Sequence, residues 1–516
     1  MKERTFKLKQ FTLEEKKPVI RFMITYGFCL LLSILFLLLA TKSSPLYPFN
    51  DWVDVNASFT MGKAMMNGKV LYRDIFDHRG PILYFIYGLA YLISNNSFFG
   101  VFIFEAISLS IFSFFSFKLI MLYLDIKFAL IALPLMNAAI LNLNSFAQGG
   151  SPEEFCIPLI TISLYYLFVY FKKIHPKPIS NQLIFVNGFI AGCVLWTKFS
   201  LLGFWIGWIT SLVICTVISH GIIQAMKTVL VFMCGMLIAT LPWIVYFGIN
   251  HSVYEWINSY IYFNFTSYSE KITLISIFIF PLIGILKHLL ENPIFICFLF
   301  LGMIEFITKK KFIDKLLHKL SVLLCFLLLI LSVFGGGKKF IYYFLIISPF
   351  IIFGFIAVLT KFYEKFEEMK SKKLIYLIIA TIIVTFLYTL QFNNNTYMLE
   401  MTRDDFVQYK FASIITQKED ATLLNYGTLD SGFYTTTGII PNIKYFYKPN
   451  ISYSRFPLIL DEQDRYIREK IVDYLVIKIP SSSSDESQEI PYLYENYMLI
   501  EKEIQQSDYF LLFERK

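Results

Sequence analysis

The chain has 516 residues, of which 56% are hydrophobic, 18% aromatic and only 16% charged. Soluble domains carry about 25% charged residues, so this composition excludes a soluble globular protein and makes lipid the main solvent. The net charge of +8 sits largely in loops between apolar runs, where cytoplasmic Lys and Arg collect, and this argues against nucleic acid as a partner.

The first apolar run, Val19–Ala40, follows a basic segment containing Lys2, Arg4, Lys7, Lys9, Lys16 and Lys17. A signal peptide has a shorter apolar core and a small-residue cleavage site. Neither is evident, so the run reads as an uncleaved first helix and 1–18 as a cytoplasmic N-terminus. Further runs near the ~20 residues a span needs lie at 98–123, 128–147, 154–171, 182–198, 200–219, 226–248, 292–308, 319–335, 339–360 and 374–391. Two more, 80–95 and 271–288, are ambiguous. The basic loops are the N-terminus, 172–177, 309–319 and 361–373. All four face the cytoplasm only if neither ambiguous stretch crosses, each lying instead on the outer surface. This predicts an all-α polytopic domain over 19–392 with about eleven transmembrane helices and a first outer loop at 42–79. If both stretches crossed, the count would be thirteen and loop 172–177 would move outside.

Residues 393–516 read as a small exoplasmic α/β domain. Helices are predicted over 404–417 and 461–471, and strands over 421–426, 473–478 and 509–514. Residues 481–487, rich in serine, read as a flexible loop. All seven cysteines lie in or beside apolar runs, without disulfide or metal-ligand spacing.

Three polar clusters face outward in this topology. The first outer loop carries Asp51, Asp54, Arg73, Asp74, Asp77, His78 and Arg79, interleaved with Trp52, Phe59, Met61, Met65, Tyr72 and Phe76. Asp, Arg and His together can deprotonate a hydroxyl and bind a phosphate. A solvated loop of ion pairs, with Asp54 capping a helix over 55–67, is the plain alternative. The interleaved apolar residues favour a loop folded onto the membrane surface. The second cluster is Glu153 and Glu154, which either cap a helix N-terminus after Ser151-Pro152 or serve as functional carboxylates. The third is Lys338 and Lys339 after a triple glycine, followed by Tyr342 and Tyr343. These lysines either snorkel to lipid phosphates or bind the phosphate of a lipid substrate. Lys198 could join them, although snorkelling is its plainer account. His175, His220, His288 and His318 have no partner at ligand spacing. No nucleotide-binding loop or zinc-protease motif appears.

Asp54-Val-Asn-Ala-Ser-Phe-Thr-Met-Gly-Lys-Ala-Met-Met-Asn-Gly68, Tyr72-Arg-Asp-Ile-Phe-Asp-His-Arg-Gly-Pro81, Gly149-Gly-Ser-Pro-Glu-Glu154 and Gly335-Gly-Gly-Lys-Lys-Phe-Ile-Tyr-Tyr343, in that order, resemble membrane glycosyltransferases of the GT-C class. The nearest branch is the bacterial one related to protein O-mannosyltransferases and lipid A aminoarabinose transferases. The resemblance covers residues 15–390, and its first-loop motif is the most specific part. It implies a GT-C-like fold and a sugar donor carried on a polyprenyl phosphate. Transfer would occur on the outer face of the cell membrane, to an envelope polymer, lipid or protein acceptor. The essential acid would be Asp54 rather than Asp51, because Asp54 keeps the spacing to Gly62 and Lys63. Glu153 or Glu154 would be the second acid. A leaving lipid phosphate needs cations nearby, for which Lys338, Lys339, Arg73 and Arg79 are the candidates. Some GT-C enzymes hold a divalent metal between their acids; the lack of a tight Asp-x-Asp counts against one here. The competing readings are a lipid-linked oligosaccharide polymerase or ligase, a transporter or flippase, and a non-catalytic scaffold. A transporter would place more charge in mid-span than Glu105, Lys118 and Glu305.

Overall fold

Hydrocarbon offers the backbone no hydrogen bonds, so long apolar runs close their own as helices. The computed structural model describes residues 13–270, 273–338, 340–363, 371–480 and 486–516. Among these, eight runs are long and apolar enough to cross a membrane, and the chain is a multi-pass membrane protein. The helices that position the site are α1 (Leu13–Ala40), α2 (Val53–Met66), α3 (Pro81–Ile93), α4 (Phe99–Ile120), α5 (Ile126–Leu141), α6 (Pro152–Val169), α7 (Asn181–Lys198), α8 (Gly203–His220) and α9 (Ile222–Ile249). After α9 come α10 (Val253–Trp256), α11 (Leu274–Glu291), α12 (Pro293–Thr308), α13 (Leu316–Phe334) and α14 (Ile351–Lys361). The run Asn181–His220 contains both α7 and α8, joined by a 3-10 turn at Phe199–Leu202.

The bundle has two chemically distinct ends. At one, Lys172 Nζ donates to Leu122 O at 2.8 Å, Lys315 Nζ lies 3.1 Å from His175 Nδ1, and the Tyr363 hydroxyl reaches Asp125 at 3.1 Å. These contacts join the basic loops. The opposite end gathers the loop after α1, the start of α6, the end of α7, residues 249–270, the turn after α13 and the C-terminal domain.

Both ambiguous stretches stay at this second end. α3 starts at Gly80, where a Cβ would come within 2.1 Å of Trp196 O near the end of α7. By Ala90 it packs on Gly100 at the start of α4, beside Phe98 and Phe49. α11 follows Glu270, and His288 near its far end stacks on Phe344, which itself packs on Phe334 at the end of α13.

The C-terminal domain holds a four-stranded sheet in the order β1-β2-β4-β3. Its strands are β1 (Leu423–Tyr426), β2 (Tyr474–Pro480), β3 (Tyr497–Gln505) and β4 (Asp508–Arg515). β1 pairs with β2 in parallel; the other pairings are antiparallel. Helices Val407–Ile415 and Leu458–Arg468 pack Phe411 and Ile459 into the same buried cluster as Leu475 and Phe513. The expected helices and three of the strands are present. β3 is an additional strand: its Glu501-Lys-Glu503 run and mostly uncovered side chains are those of a sheet edge. Residues 481–485 of the expected flexible loop lie outside the described residues.

The domain docks onto α2. Asn56, Thr60 and Lys63 recur at helical spacing on one buried face. Thr60 donates to Asp430 at 2.7 Å, Lys63 to Tyr434 O at 2.6 Å, and Thr435 donates to Asn56 at 3.0 Å. Gly432 (φ +97°) fits here because a Cβ would strike Phe49 at 2.4 Å. Burial pushes the Lys63 ammonium down to about 7, against the opposing pull of Asp430.

Candidate active site

Asp54 occupies the first turn of α2, after an N-cap residue, Trp52, that makes no side-chain cap. Its carboxylate does not cap the helix. Oδ1 instead accepts from Arg79 Nη2 at 2.5 Å, and Arg79 Nη1 donates to Asp77 Oδ2 at 2.8 Å. The backbone of Arg79 is fixed on both sides. Its N–H donates to the Tyr84 hydroxyl at 3.0 Å, and its carbonyl accepts from the Tyr72 hydroxyl at 2.7 Å. Asp77 is fully buried, and its Oδ1 accepts from His78 N at 2.7 Å. Burial alone would raise the Asp77 carboxyl, but Arg79 and His78 outweigh it and hold the group well below the usual range. Burial likewise opposes the charge on Arg79, and Asp54 and Asp77 reverse that, raising it. The result is a rigid Asp54–Arg79–Asp77 chain of charge-assisted bonds.

The two adjacent glutamates part company. Ser151 is the N-cap of α6, accepting from Glu154 N at 3.1 Å. Glu153 is buried and ion-paired with Lys198, whose ammonium sits 3.7 Å from the centre of the Tyr343 ring. Glu154 turns the other way and accepts from Gly150 N at 2.6 Å. Next to it lies Glu105, which accepts from Thr41 Oγ1 at 2.8 Å.

Asp54, His78, Arg79, Lys198, Lys338, Tyr342 and Tyr343 all line one cavity of about 760 Å³. Its far wall is apolar, with Leu202 from the turn before α8, Ile206 from α8, Val333 from α13, and Phe265. Lys338 Nζ lies 3.1 Å from Glu270, which also binds Arg455 of the C-terminal domain at 2.6 Å. Hydrogen bonding from Lys338 leads the effects that hold the Glu270 carboxyl below its usual range. Tyr268 lies under Lys338 and packs on His78, with ring centres 4.1 Å apart and planes tilted by 37°.

The remaining candidates lie elsewhere. Asp51 pairs with Lys42 at 2.6 Å. Arg73 binds Asp74 at 2.8 Å and Asn250 O at 2.7 Å, outside the cavity. Lys339 lies outside the described residues. Lys198 does not snorkel to lipid: it turns inward to Glu153. Glu270 and Arg455 were not singled out from the sequence. Glu270 closes the aromatic stretch 249–270, a weak signal, and Arg455 comes from another domain. The carboxylates Asp54 and Glu153 are ion-paired with the Arg79 guanidinium and the Lys198 ammonium. Among the described residues, His175, Cys215 and His318 do come within 4.8 Å of one another, but at the opposite end of the bundle.

The comparisons bear on the fold. The model of the family described as competence-induced protein Ccs4, N-terminal domain, matches residues 15–413, and the chain belongs to this family. A sequence search among curated proteins finds no match. Among solved structures, ArnT from Cupriavidus metallidurans in the apo state superposes with a TM-score of 0.62 at 11% identity, covering 96% of this chain and 98% of ArnT. The same protein bound to undecaprenyl phosphate gives 0.59 at 10% identity, with the same coverage of both chains. The GT-C-like fold expected from the sequence is thus borne out.

Proposed function

We propose that the chain is a membrane glycosyltransferase that moves a sugar from a polyprenyl-phosphate donor to a hydroxyl of a cell-envelope acceptor. The observation that carries this reading is the cavity itself. It joins an ion-paired carboxylate, Asp54, to two lysines and an apolar wall on α8 and α13. A donor of this class needs all three: a base, cations for a phosphate, and a lipid-compatible surface. ArnT, a GT-C transferase of similar fold that has been solved with undecaprenyl phosphate, supports the donor class.

In this reading Asp54 is the general base. It removes the proton of the acceptor hydroxyl as that oxygen attacks the anomeric carbon. The bond from that carbon to the phosphate oxygen breaks, and its electron pair leaves with the phosphate. The sugar passes through an oxocarbenium-like state. Lys198 and Lys338 take up the charge that develops on the phosphate. Glu153 orients Lys198, while Asp77 and His78 fix Arg79 and through it Asp54.

The topology that accompanies this function has eleven crossings. The N-terminus and basic loops face the cytoplasm, and the cavity and residues 393–516 face outward. The separation of basic loops from the cavity end, and the confinement of α3 and α11 to that end, support it. The experiment that tests the function is sugar transfer in vesicles by wild type and Asp54→Asn.

A further inference from the structure

At the end of the bundle that carries the basic loops, three segments distant in sequence meet. A π-type turn after α6, Tyr170–Ile174, delivers His175; the last turns of α8 carry Cys215, and the first turn of α13 carries His318. One nitrogen of each imidazole and the Cys215 Sγ lie within 4.8 Å of one another. None of the three residues lines the catalytic cavity.

The scaffold beneath this cluster is rigid. α8 and α13 approach so closely that a Cβ on Gly207 would lie 2.7 Å from the Cys325 Cα. Phe171 stacks on the His318 ring, with centres 4.1 Å apart and planes 9° apart. The His175 ring meets His318 edge to face at 4.7 Å, and Tyr170 meets His175 in the same way at 5.6 Å. Cys215 is fully buried and His318 only 4% exposed, and His318 Nε2 has no hydrogen-bond partner. A buried ring nitrogen left unmet is costly, and a metal ion satisfies it and the thiol together. His175 is half-buried, and its neighbours Ser219 and Lys315 are exposed, so an ion reaches the cluster from the loop side.

We infer that His175, Cys215 and His318 form a binding site for Zn²⁺, separate from the catalytic cavity. Two imidazoles and a thiolate suit a borderline-soft transition metal, whereas Mg²⁺ and Ca²⁺ take oxygen ligands. An ion about 2.0–2.3 Å from each ligand spreads them about 3.5 Å apart in a tetrahedron, so the side chains draw in by roughly an ångström. Binding forms one Zn–S and two Zn–N bonds, the thiol proton leaves to water, and a water completes the tetrahedron. The Lys315 ammonium lies 3.1 Å from His175 Nδ1 and can only donate, so it competes with the ion for that ring. The bound ion ties the loop after α6 to α8 and α13. The same two helices supply Ile206 and Val333 to the apolar wall of the catalytic cavity, and the clamp holds them together at their far ends. The inference does not depend on the glycosyltransferase reading.

The test uses the full-length protein in lipid nanodiscs, without a polyhistidine tag and with Cys234 and Cys297 replaced by serine. The probes are Co²⁺, read by absorption, and Zn²⁺, read by its displacement of Co²⁺. The wild-type site should give a thiolate-to-cobalt charge-transfer band together with tetrahedral d–d bands, and Cys215→Ser should lose the first. Loss of an outer partner of a metal ligand costs ~10–100-fold in affinity, so Cys215→Ser and His318→Gln should each weaken Zn²⁺ binding by at least ~10²-fold. Lys315→Gln should bind Zn²⁺ more tightly than the wild type. Cys215→Ser changes a single atom, and in EDTA its unfolding temperature should equal that of the wild type. Added Zn²⁺ should then raise the wild type's unfolding temperature and leave the variant's unmoved. A wild type that gives no thiolate-to-cobalt band, or a Cys215→Ser variant that keeps it, overturns the assignment.

Discussion

Asp54 is held by Arg79 through one oxygen only: Oδ1 lies 2.5 Å from Arg79 Nη2, and Oδ2 has no protein partner among the described residues. The carboxylate is fixed in direction yet keeps a free oxygen for a proton. Arg79 spans Asp54 and the buried Asp77 at once, which a lysine cannot do. Arg79→Lys should therefore still fold but lose ~10²-fold in transfer rate through misplacement of the base. Arg79→Ala leaves the buried Asp77 carboxylate with His78 alone and should destabilise the protein by ~3–5 kcal/mol. Thermal unfolding of the detergent-solubilised variants separates the two effects.

The two cavity lysines should differ in weight. Lys338 shares Glu270 with Arg455, whereas Lys198 is enclosed between Glu153 and Tyr343. A charge-assisted hydrogen bond is worth ~1.5–3 kcal/mol, so Lys198→Gln should weaken undecaprenyl phosphate binding by one to two orders of magnitude. Lys338→Gln should do so by less, since Arg455 remains nearby. Equal, undiminished binding in both variants would move the phosphate site out of this cavity.

The contact between α2 and the C-terminal domain should depend on pH. Lys63 has its ammonium lowered to about 7 in the folded chain, from an ordinary 10.5. The unfolded chain thus binds more protons between those values, and stability rises with pH across that window. Asp430 is raised by burial, and its effect has the opposite sign, falling in the range above the usual carboxylate value. The unfolding temperature should rise from pH 7 to pH 9 in the wild type. Lys63→Met should flatten that rise.

The topology has its own test at Asn95, exposed between α3 and α4. A cysteine placed there, in a background lacking Cys234 and Cys297, should react with an impermeant thiol reagent added outside intact cells. Reaction only after permeabilisation would mean that α3 crosses. An alkaline phosphatase fused after Lys516 should be active, because one apolar span, 374–391, follows the basic loop 361–373.

Much of this was legible in the sequence because lipid imposes a simple code. Apolar length marked the helices, and lysine placement sorted the two ends. The first-loop acids were legible too, since polar residues crowded beside a span need a purpose. What escaped depends on contacts between distant segments. Arg73 and Arg79 look alike in sequence, yet Arg73 turns to Asn250 while Arg79 reaches Asp54. Glu153 and Glu154 point apart because the N-cap role falls to Ser151. Lys198 sits at a helix end where snorkelling and an inward ion pair have the same sequence signature. β3 was missed because an edge strand with Glu501, Lys502 and Glu503 lacks the alternation by which strands are recognised.

The central claim is that Asp54 is the base of a sugar transfer, and Asp54→Asn tests it most directly. Asparagine keeps the shape and can still face Arg79, but it cannot accept the proton. The measurement is the initial rate of sugar transfer from a polyprenyl-phosphate donor in vesicles, normalised to folded protein. A loss of ~10²–10⁴-fold is expected for removal of a general base, with undecaprenyl phosphate binding retained. A well-folded Asp54→Asn variant that transfers sugar at a near-normal rate would contradict the account.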